Sequence, residues 1–416
     1  MALFPIRAII KPFPPFTIYS PLMPSYRQLI PFFDTTTLNW AVEARLLRWL
    51  TFLWLGVGLV LMFSASYPVA LEERGDGFYY IGRQLLWMVI GMVGFNIMVH
   101  TPMGTIIRAS HGICFLLMLM LLATLLPGVG ITAQGSARWL ALGSFPLQPS
   151  ELLKPFLVIQ GACVFARWSE LSVLTRLNWC GIFCLVLGVI LLQPNLSTTA
   201  VCGITIWLMA MAAGLPLKHL LITAGTGIGL GILSISLRSY QQDRLCFLDP
   251  WSDPVNRCYQ LVQSLIAVGS GQWFGKGFGL SQQKLFYLPI ADTDFIFAVF
   301  AEEFGFFGCL LLLTMLLFYS TLALRVAIQA QRPVYRLIAI GSIILLIGQS
   351  LTHIGVVIGV LPTTGLPLPL ISYGGSSLIA NLTTAGLLIR VARENREAVV
   401  IPFTSGGRSP TVSSLD

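Results

Sequence analysis

Long apolar segments, separated by short polar stretches, run along most of the chain. An α-helix rises about 1.5 Å per residue, so about 20 apolar residues cross the roughly 30 Å of hydrocarbon in a bilayer. The pattern predicts an all-α polytopic membrane protein with about ten transmembrane helices and one large extracytoplasmic loop, 238–291. The predicted spans are 47–69, 81–100, 107–127, 151–168, 176–193, 197–214, 217–237, 294–323, 337–361 and 371–392.

The two ends of the chain depart from this pattern. The first 40 residues contain seven prolines and no long apolar run, and they lack the charged, apolar and small-residue zones of a cleavable signal peptide. We expect a disordered cytoplasmic tail at 1–45, a ten-helix membrane domain at 46–396 and a second cytoplasmic tail at 397–416.

Composition supports a membrane protein and argues against a nucleic-acid partner. Hydrophobic residues make up 56% of the chain and charged residues 10%, whereas about 25% is usual for soluble domains. The net charge is +8, but no basic patch interleaved with aromatic residues accompanies it outside the tails and loops.

The distribution of basic residues predicts the orientation. With ten spans both ends of the chain lie on one side, and sixteen of the 25 basic residues fall there. Five of the other nine lie in loop 238–291, and long loops are exempt from the positive-inside rule. We therefore expect both termini in the cytoplasm and the long loop outside. The sixteen are Arg7, Lys11, Arg27, Arg45, Arg48, Arg108, Arg167, Arg176, Lys218, Arg325, Arg332, Arg336, Arg390, Arg393, Arg396 and Arg408.

The eight cysteines lie mostly in predicted spans, where a buried thiol acts as a small hydrophobe. Cys246 and Cys258 instead lie twelve residues apart in the outer loop. An oxidising compartment permits a bridge there, and the spacing is equally compatible with two free thiols. No Cys and His residues have the spacing of zinc ligands, so we expect no protein metal site.

The first polar group at an outer span end is GSARWLALGSFPLQPSELLKP. A loop carrying Arg138 and Trp139 leads into a span at which Ser150 is the expected N-cap and Glu151 suits the positive end of the helix dipole. Lys154 follows Glu151 by three residues, so the two share a helix face and can pair. The pair either anchors the span or holds a cation for an anionic ligand.

The second group lies in the long loop. YQLVQSLIAVGSG predicts a short amphipathic helix that ends in glycines, with Gln260 and Gln263 on one face. A glycine-rich segment follows, in which Lys276 lies between two glycines. Its glycines allow backbone N–H groups to approach a ligand. We do not expect ATP as the ligand, because no nucleotide is available on the outer surface.

The third group is YLPIADTDFIF, which places Asp292 and Asp294 directly before a span. If Thr293 caps that span, Asp294 falls in its first turn and is either a helix-start acid or a functional carboxylate.

The fourth group, LPTTGLPLPLISYGGSS, is too rich in Pro and Gly for a continuous helix. Such backbone occurs at membrane depth only where it lines a cavity or is buried in protein. Arg83, at the start of the second span, either snorkels to the interface or adds a cation to this set.

FLDPWSDP, YQLVQSLIAVGSG, YLPIADTDFIFAVFAEEFG and LPLISYGGSS occur in this order. With them the chain resembles the SEDS family (FtsW and RodA) over 47–396, and it is most similar to the FtsW branch of cell-division proteins. The resemblance implies a peptidoglycan glycosyltransferase in the cytoplasmic membrane, at the division septum, that polymerises lipid II on the outer face. It also implies a class B penicillin-binding transpeptidase and other division proteins as partners. The alternatives are a lipid II flippase or transporter, a RodA-like elongation polymerase, and a non-catalytic scaffold that recruits the transpeptidase.

The resemblance implies that Asp294 is the catalytic aspartate. The reaction needs a carboxylate that accepts a hydroxyl proton and cations that neutralise the departing pyrophosphate. No cofactor is certain, and a divalent cation, Mg²⁺ or Mn²⁺, can accompany the pyrophosphate. The residues expected to bind substrate are Arg83, Arg138, Trp139, Gln148, Glu151, Lys154, Arg244, Gln263, Lys276, Ser372 and Ser376.

Four positions depart from the family pattern. Ile290 and Asp292 replace a Glu and a His, Asn195 stands where Asp is common, and Thr364 stands where Lys is frequent. The usual side chains at these four positions are therefore absent from this chain, whereas Asp294 is retained.

Overall fold

The structure is a computed structural model that describes Thr37 and residues 40–126, 128–133, 136–142, 145–237 and 239–399. Most of the two predicted tails, 1–45 and 397–416, lies outside these residues. The first helix begins at Val42 and the last helix ends at Val399.

The principal helices follow the apolar segments of the sequence. They are α1 (Val42–Arg74), α2 (Tyr79–His100), α3 (Met103–Ala123), α4 (Pro149–Phe165), α5 (Val173–Leu192), α6 (Leu196–Ala212), α7 (Leu217–Leu237), α8 (Tyr259–Ser270), α9 (Ile296–Gln329), α10 (Pro333–Ile343), α11 (Gln349–Val357) and α12 (Gly375–Val399). A π-helical turn, Ile344–Gly348, joins α10 to α11. Short helical turns are Trp168–Glu170, Ser239–Gln242, Asp243–Leu248 and Pro250–Ser252.

Within the described ranges, eight helices are long and apolar enough to cross a membrane, with α10 and α11 counted as one. The other two predicted spans, 151–168 and 197–214, correspond to the 17-residue helices α4 and α6. The predicted all-α polytopic membrane fold is confirmed, and so is the short helix α8 in the long loop.

Helix α12 is the centre of the bundle. In its most apolar stretch 89% of the residues are buried, against 6% for α7, which lies at the periphery. Glycines let α2 and α12 approach closely: a Cβ on Gly386 would lie 2.9 Å from Phe95 O, and one on Gly91 would lie 2.6 Å from the Leu382 side chain. Small residues bring membrane helices together in this way because lipid supplies no hydrophobic driving force between them.

The segment between α3 and α4 forms a small antiparallel sheet that the sequence did not predict. Its strands are β1 (Gly130–Ala133), β2 (Ser136–Leu142) and β3 (Phe145–Leu147), in the order β1-β2-β3. Trp139 on β2 pairs with Ile131 on β1. Interstrand backbone hydrogen bonds, rather than an alternating apolar pattern, define these strands.

Two expected helix caps are wrong. Helix α4 begins at Pro149, with Gln148 at the N-cap position, because proline is suited to the first helical position. The buried hydroxyl of Ser150 consequently makes no hydrogen bond with the described residues. Helix α9 begins at Ile296 with Phe295 at its N-cap position, so Thr293 does not cap it and Asp294 lies in the preceding turn.

Two irregular segments interrupt the bundle near the predicted outer side. Helix α9 is broken at Gly305, which has φ 64° and ψ −164°. Residues 362–374, which we call the strap, connect α11 to α12 without helix. The prediction that LPTTGLPLPLISYGGSS is not a continuous helix is confirmed.

Candidate active site

The strap is held by side chains that donate to its backbone carbonyls. His353 Nδ1 lies 2.8 Å from Leu366 O and Gln349 Nε2 lies 2.8 Å from Pro367 O, one turn apart on α11. Arg244 Nη1 donates to Thr364 O at 2.9 Å, and Gln84 Nε2 on α2 donates to Ser372 O at 3.3 Å. Non-helical backbone at membrane depth needs such partners because no lipid group can replace them.

The strap in turn fixes the turn that carries the two aspartates. The backbone N–H of Tyr373 donates to Asp292 O at 3.0 Å, and Ser372 Oγ donates to Thr293 O at 2.6 Å. Ser372 Oγ also accepts from Leu368 N at 2.8 Å. Because these bonds hold the two residues that immediately precede Asp294, the strap fixes the backbone that carries this acid.

Asp294 faces Gly365 of the strap together with Arg244. A Cβ built on Gly365 would lie 3.4 Å from Asp294 Oδ2 and 3.7 Å from Arg244 Nη2. Gly365 has φ +67°, a conformation that glycine adopts without strain. A side chain here would therefore contact both the acid and the guanidinium.

The surrounding protein changes the proton affinity of both aspartates. Desolvation by burial raises the pKa of Asp294 to about 6, an effect that the positive charge of Arg244 opposes most and that Asp292 increases. Desolvation by burial also raises the pKa of Asp292 to about 6. A carboxylate of this pKa is ionised at neutral pH and is a better proton acceptor than an ordinary aspartate.

Two arginines beside this acid donate to residues at and just before the start of α6. Arg138 donates from Nε to Gln193 O at 3.2 Å and from Nη2 to Pro194 O. Arg244 Nη1 donates to Ser197 Oγ at 2.9 Å. Both charges lower the proton affinity of Asp294, so the structure brings Arg138 and Arg244, predicted from separate parts of the chain, around the same carboxylate.

The predicted pairing of Glu151 with Lys154 is confirmed. Lys154 Nζ lies 2.7 Å from Glu151 Oε1 and donates to Gln349 Oε1 at 3.1 Å, and only 4% of the Lys154 side chain is exposed. Since Gln349 also holds Pro367 O, the ion pair is connected to the strap through a single side chain.

Two further predicted residues join α4 to α12. The backbone N–H of Gln148 donates to Ser376 Oγ at 2.9 Å. Trp139 is half-buried on β2, and Gln263 is half-buried on α8.

Arg83 lies among tyrosines next to the aspartate turn. Its Nη1 donates to Tyr79 OH at 3.1 Å, and its guanidinium lies 5.7 Å from the centre of that ring. The Tyr80 ring lies 5.3 Å from the Tyr373 ring, which belongs to the strap. The positive charge of Arg83 also acts on Tyr373, so this cation is placed at the α2 side of the strap.

Lys276 lies in a different polar cluster. Its Nζ is 2.7 Å from Glu302 Oε1, and the Glu302 carboxylate also accepts from Ser270 Oγ at 3.1 Å and from the backbone N–H groups of Gln282 and Gln283 at 3.2 Å each. The long loop packs against α9 at the break: Gly275 lies against the backbone of Glu303, and Gly305 lies against the backbone of Gly275.

The neighbouring Glu303 forms a second buried ion pair. Lys284 Nζ lies 2.6 Å from Glu303 Oε1, and Ser64 Oγ on α1 donates to the same oxygen at 2.6 Å. Together the two pairs fasten the long loop to α9 and α1.

Sequence reasoning missed several residues that organise the site. Gln84, Gln349 and His353 are uncharged polar side chains inside apolar spans, and each is at most 2% exposed. Polar residues at membrane depth are costly unless they have partners, which is the signal that could have identified them. Among the described residues, no group of three or more His, Cys, Asp or Glu side chains could hold a metal ion.

Comparison with known proteins gives a consistent result. The family profile FTSW_RODA_SPOVE, described as "Cell cycle protein", matches residues 44–397. The "Probable peptidoglycan glycosyltransferase FtsW" of Synechocystis sp. is 50% identical over 378 residues, which cover 91% of this chain and 96% of that protein. The "Putative peptidoglycan glycosyltransferase FtsW" of Mesostigma viride is 46% identical over 368 residues, covering 88% of each.

Two solved structures share the fold. One, from "Structural coordination of polymerization and crosslinking by a peptidoglycan synthase complex", has a TM-score of 0.66 and 27% identity and covers 84% of this chain and 97% of that one. The Thermus thermophilus rod shape determining protein RodA has a TM-score of 0.63 and 26% identity and covers 86% of this chain and 99% of that one.

Proposed function

Because the chain belongs to the FtsW, RodA and SpoVE family of cell cycle proteins, we propose that the turn bearing Asp294 is the catalytic centre of a division-type peptidoglycan glycosyltransferase. The observation that carries the activity is the 50% identity, across nearly the whole of both chains, with a relative named for it. The observation that carries the site is that Asp294, an acid of raised pKa, and the guanidinium of Arg244 both lie next to Gly365.

Asp294 acts as the general base. A sugar hydroxyl of one substrate attacks the anomeric carbon of another, the bond from that carbon to the pyrophosphate breaks, and the hydroxyl proton passes to the Asp294 carboxylate. General bases of this kind contribute about 10²–10⁴-fold to the rate. With a pKa of about 6, Asp294 is mostly ionised at neutral pH and accepts the proton readily.

The cations stabilise the leaving group. Arg244 and Arg138 lie beside Asp294, and Arg83 lies at the α2 side of the strap. Positively charged groups that are already positioned when the pyrophosphate departs lower the barrier, because they need no reorganisation during the reaction. A divalent cation that accompanies the pyrophosphate would add to this effect.

The remaining groups position the centre. Glu151 pairs with Lys154, and Lys154 donates to the side chain of Gln349 and so orients it. Gln349 in turn donates to Pro367 O of the strap. Ser372 holds Thr293 O, next to Asp294. In this arrangement Lys154 acts on catalysis through the strap, and Lys276 acts by docking the long loop onto α9.

The location of the centre supports the proposed substrate class. An acid at the end of a membrane helix, among arginines, suits an anionic sugar donor that reaches it from the bilayer, and lipid II has this chemistry. We propose that the long loop faces outwards, that both termini are cytoplasmic, and that a class B penicillin-binding transpeptidase works with the chain at the septum. The solved synthase complex, which couples polymerization and crosslinking, supports such a partner.

The test is glycan synthesis from labelled lipid II by purified protein, with and without a class B transpeptidase. Asp294→Asn should lose about 10²–10⁴-fold in rate, whereas Asp292→Asn is the matched control and should remain active. An Asp294→Asn variant that polymerises at the rate of the parent would remove Asp294 from the mechanism. Movement of lipid II across vesicles without formation of glycan strands would support a transporter instead.

A further inference from the structure

The long loop contains two thiols that the catalytic mechanism does not use. Cys246 lies in the helical turn Asp243–Leu248, and Cys258 is the N-cap residue of α8. Both are reduced in the structure. The sequence leaves open whether they are bridged, because spacing alone does not bring two residues together.

The structure brings the two thiols into direct contact. The Cys246 thiol is hydrogen bonded to the Cys258 side chain, and Cys258 Sγ lies 3.9 Å from Cys246 O. Both line one cavity of about 430 Å³, together with Asp249, Asp253 and Arg257. The other cysteine pair close in sequence, Cys180 and Cys184, is four residues apart on α5, where Cβ atoms are about 5–6 Å apart, too far for a disulfide.

We propose that Cys246 and Cys258 form a disulfide that joins the turn carrying Arg244 to the start of α8. Cys246 is half-buried and Cys258 is 3% exposed, so the oxidant meets Cys246 first. The oxidant is a small disulfide or the disulfide of an oxidoreductase. The deprotonated Cys246 sulfur attacks it and releases one thiol, then the deprotonated Cys258 sulfur attacks the mixed disulfide and releases the second. The protein loses two protons and two electrons, and the oxidant leaves as two thiols.

The surroundings favour a structural disulfide over a readily reversible one. Burial raises the pKa of the Cys246 thiol to about 12, and the contact with Cys258 and the charge of Asp243 act in the same direction. A thiol with a high pKa is a poor leaving group, so a disulfide formed from it is reduced slowly. The same property makes oxidation slow unless an oxidoreductase catalyses it.

The disulfide would stiffen the turn that carries Arg244, which meets the strap next to Asp294. Arg244 precedes Cys246 by two residues and bridges Ser197 Oγ on α6 to Thr364 O of the strap, both at 2.9 Å. A bond from Cys246 to Cys258 closes a short loop and restricts the motion of this turn. This consequence for catalysis rests on the proposed function, whereas the presence of the bond does not.

Peptide mapping tests the bond without any variant. Trypsin cuts after Arg244, Arg257 and Lys276, so Cys246 and Cys258 fall on separate peptides, 245–257 and 258–276. Purified full-length protein is alkylated without reductant, after incubation with oxidised glutathione, and digested. We expect a linked pair of peptides that separates on reduction, and alkylation of Cys180 and Cys184 in every sample. Recovery of both peptides alkylated and unlinked, before and after oxidation, would overturn the proposal.

Activity provides the second readout. Reduction should slow glycan synthesis several-fold in the parent protein and leave the rate of Cys246→Ala/Cys258→Ala unchanged. An equal response of both proteins to the reductant would contradict the role assigned to the bond. Because the peptide map does not depend on activity, failure of this inference is distinguishable from failure of the proposed function.

Discussion

The buried pair Glu151–Lys154 offers the sharpest test of how the site is held. Lys154→Met keeps an unbranched side chain that is one atom shorter and removes its charge. Glu151, 3% exposed, then remains in the bundle without its ion partner, and Gln349 Oε1 loses the donor that lies 3.1 Å away. Breaking a buried pair from one side costs about 3–5 kcal/mol.

Removing both charges should cost much less. In Glu151→Met/Lys154→Met no unpaired charge is buried, and replacing a buried pair with apolar groups is often neutral or stabilising by about 1–4 kcal/mol. We therefore expect strong positive coupling in the double-mutant cycle. The free energy of unfolding, measured by denaturant titration in detergent micelles for the parent, both single variants and the double variant, gives the coupling directly.

The same variants separate positioning from direct binding. If Lys154 acts through Gln349 and the strap, glycan synthesis in the double variant recovers together with stability. A double variant that is stable but inactive would show that the Lys154 ammonium itself meets the substrate anion. A cost below about 1 kcal/mol for Lys154→Met, the value of a surface pair, would refute the reasoning that the pair is buried and coupled.

Four further outcomes follow from particular residues. Because Asp294 must be ionised to accept a proton and its pKa is raised to about 6, kcat/KM should rise with pH through about 6. Asp292→Asn removes a charge that raises this pKa and should move the midpoint of the pH–rate profile to lower pH, so an unchanged midpoint would contradict the coupling. Gly365→Ala places a methyl group at φ +67°, 3.4 Å from Asp294 Oδ2, and should cost about 1–2 kcal/mol of unfolding free energy as well as activity, both measurable on purified protein. Phe286 is 56% exposed and has φ 67°, so Phe286→Asn should stabilise by about 0.5–1 kcal/mol, whereas Tyr287→Asn, equally exposed, is the control and should not.

Much of the site was predictable because its signals are local. Pro and Gly density in LPTTGLPLPLISYGGSS predicted the break between α11 and α12, and the spacing of Glu151 and Lys154 predicted their pairing. Asp294 stands out as an acid at the start of a span. Helix caps were less predictable, because Pro149 moved the start of α4 by two residues and left the Ser150 hydroxyl without a partner among the described residues.

The partners of these residues were not predictable from local pattern. Sequence analysis grouped Lys276 with the arginines around pyrophosphate, whereas the structure pairs it with Glu302 at the break in α9. Gln349 and His353 looked like isolated polar residues, yet they hold two successive carbonyls of the strap. The sheet of β1, β2 and β3 was missed because backbone pairing, not apolar periodicity, forms it.

Sequence by itself determined the order of the apolar helices, the irregular strap and the nature of the charged residues at the ends of the spans. Those features depend on hydropathy and backbone preference within about 20 residues. Only the tertiary structure decided that Arg244, Asp294 and Gly365 meet, and that Cys246 contacts Cys258. The physical reason is that helix packing, which depends on residues far apart in the chain, sets which carbonyls and charges need a partner and which side chains can reach them.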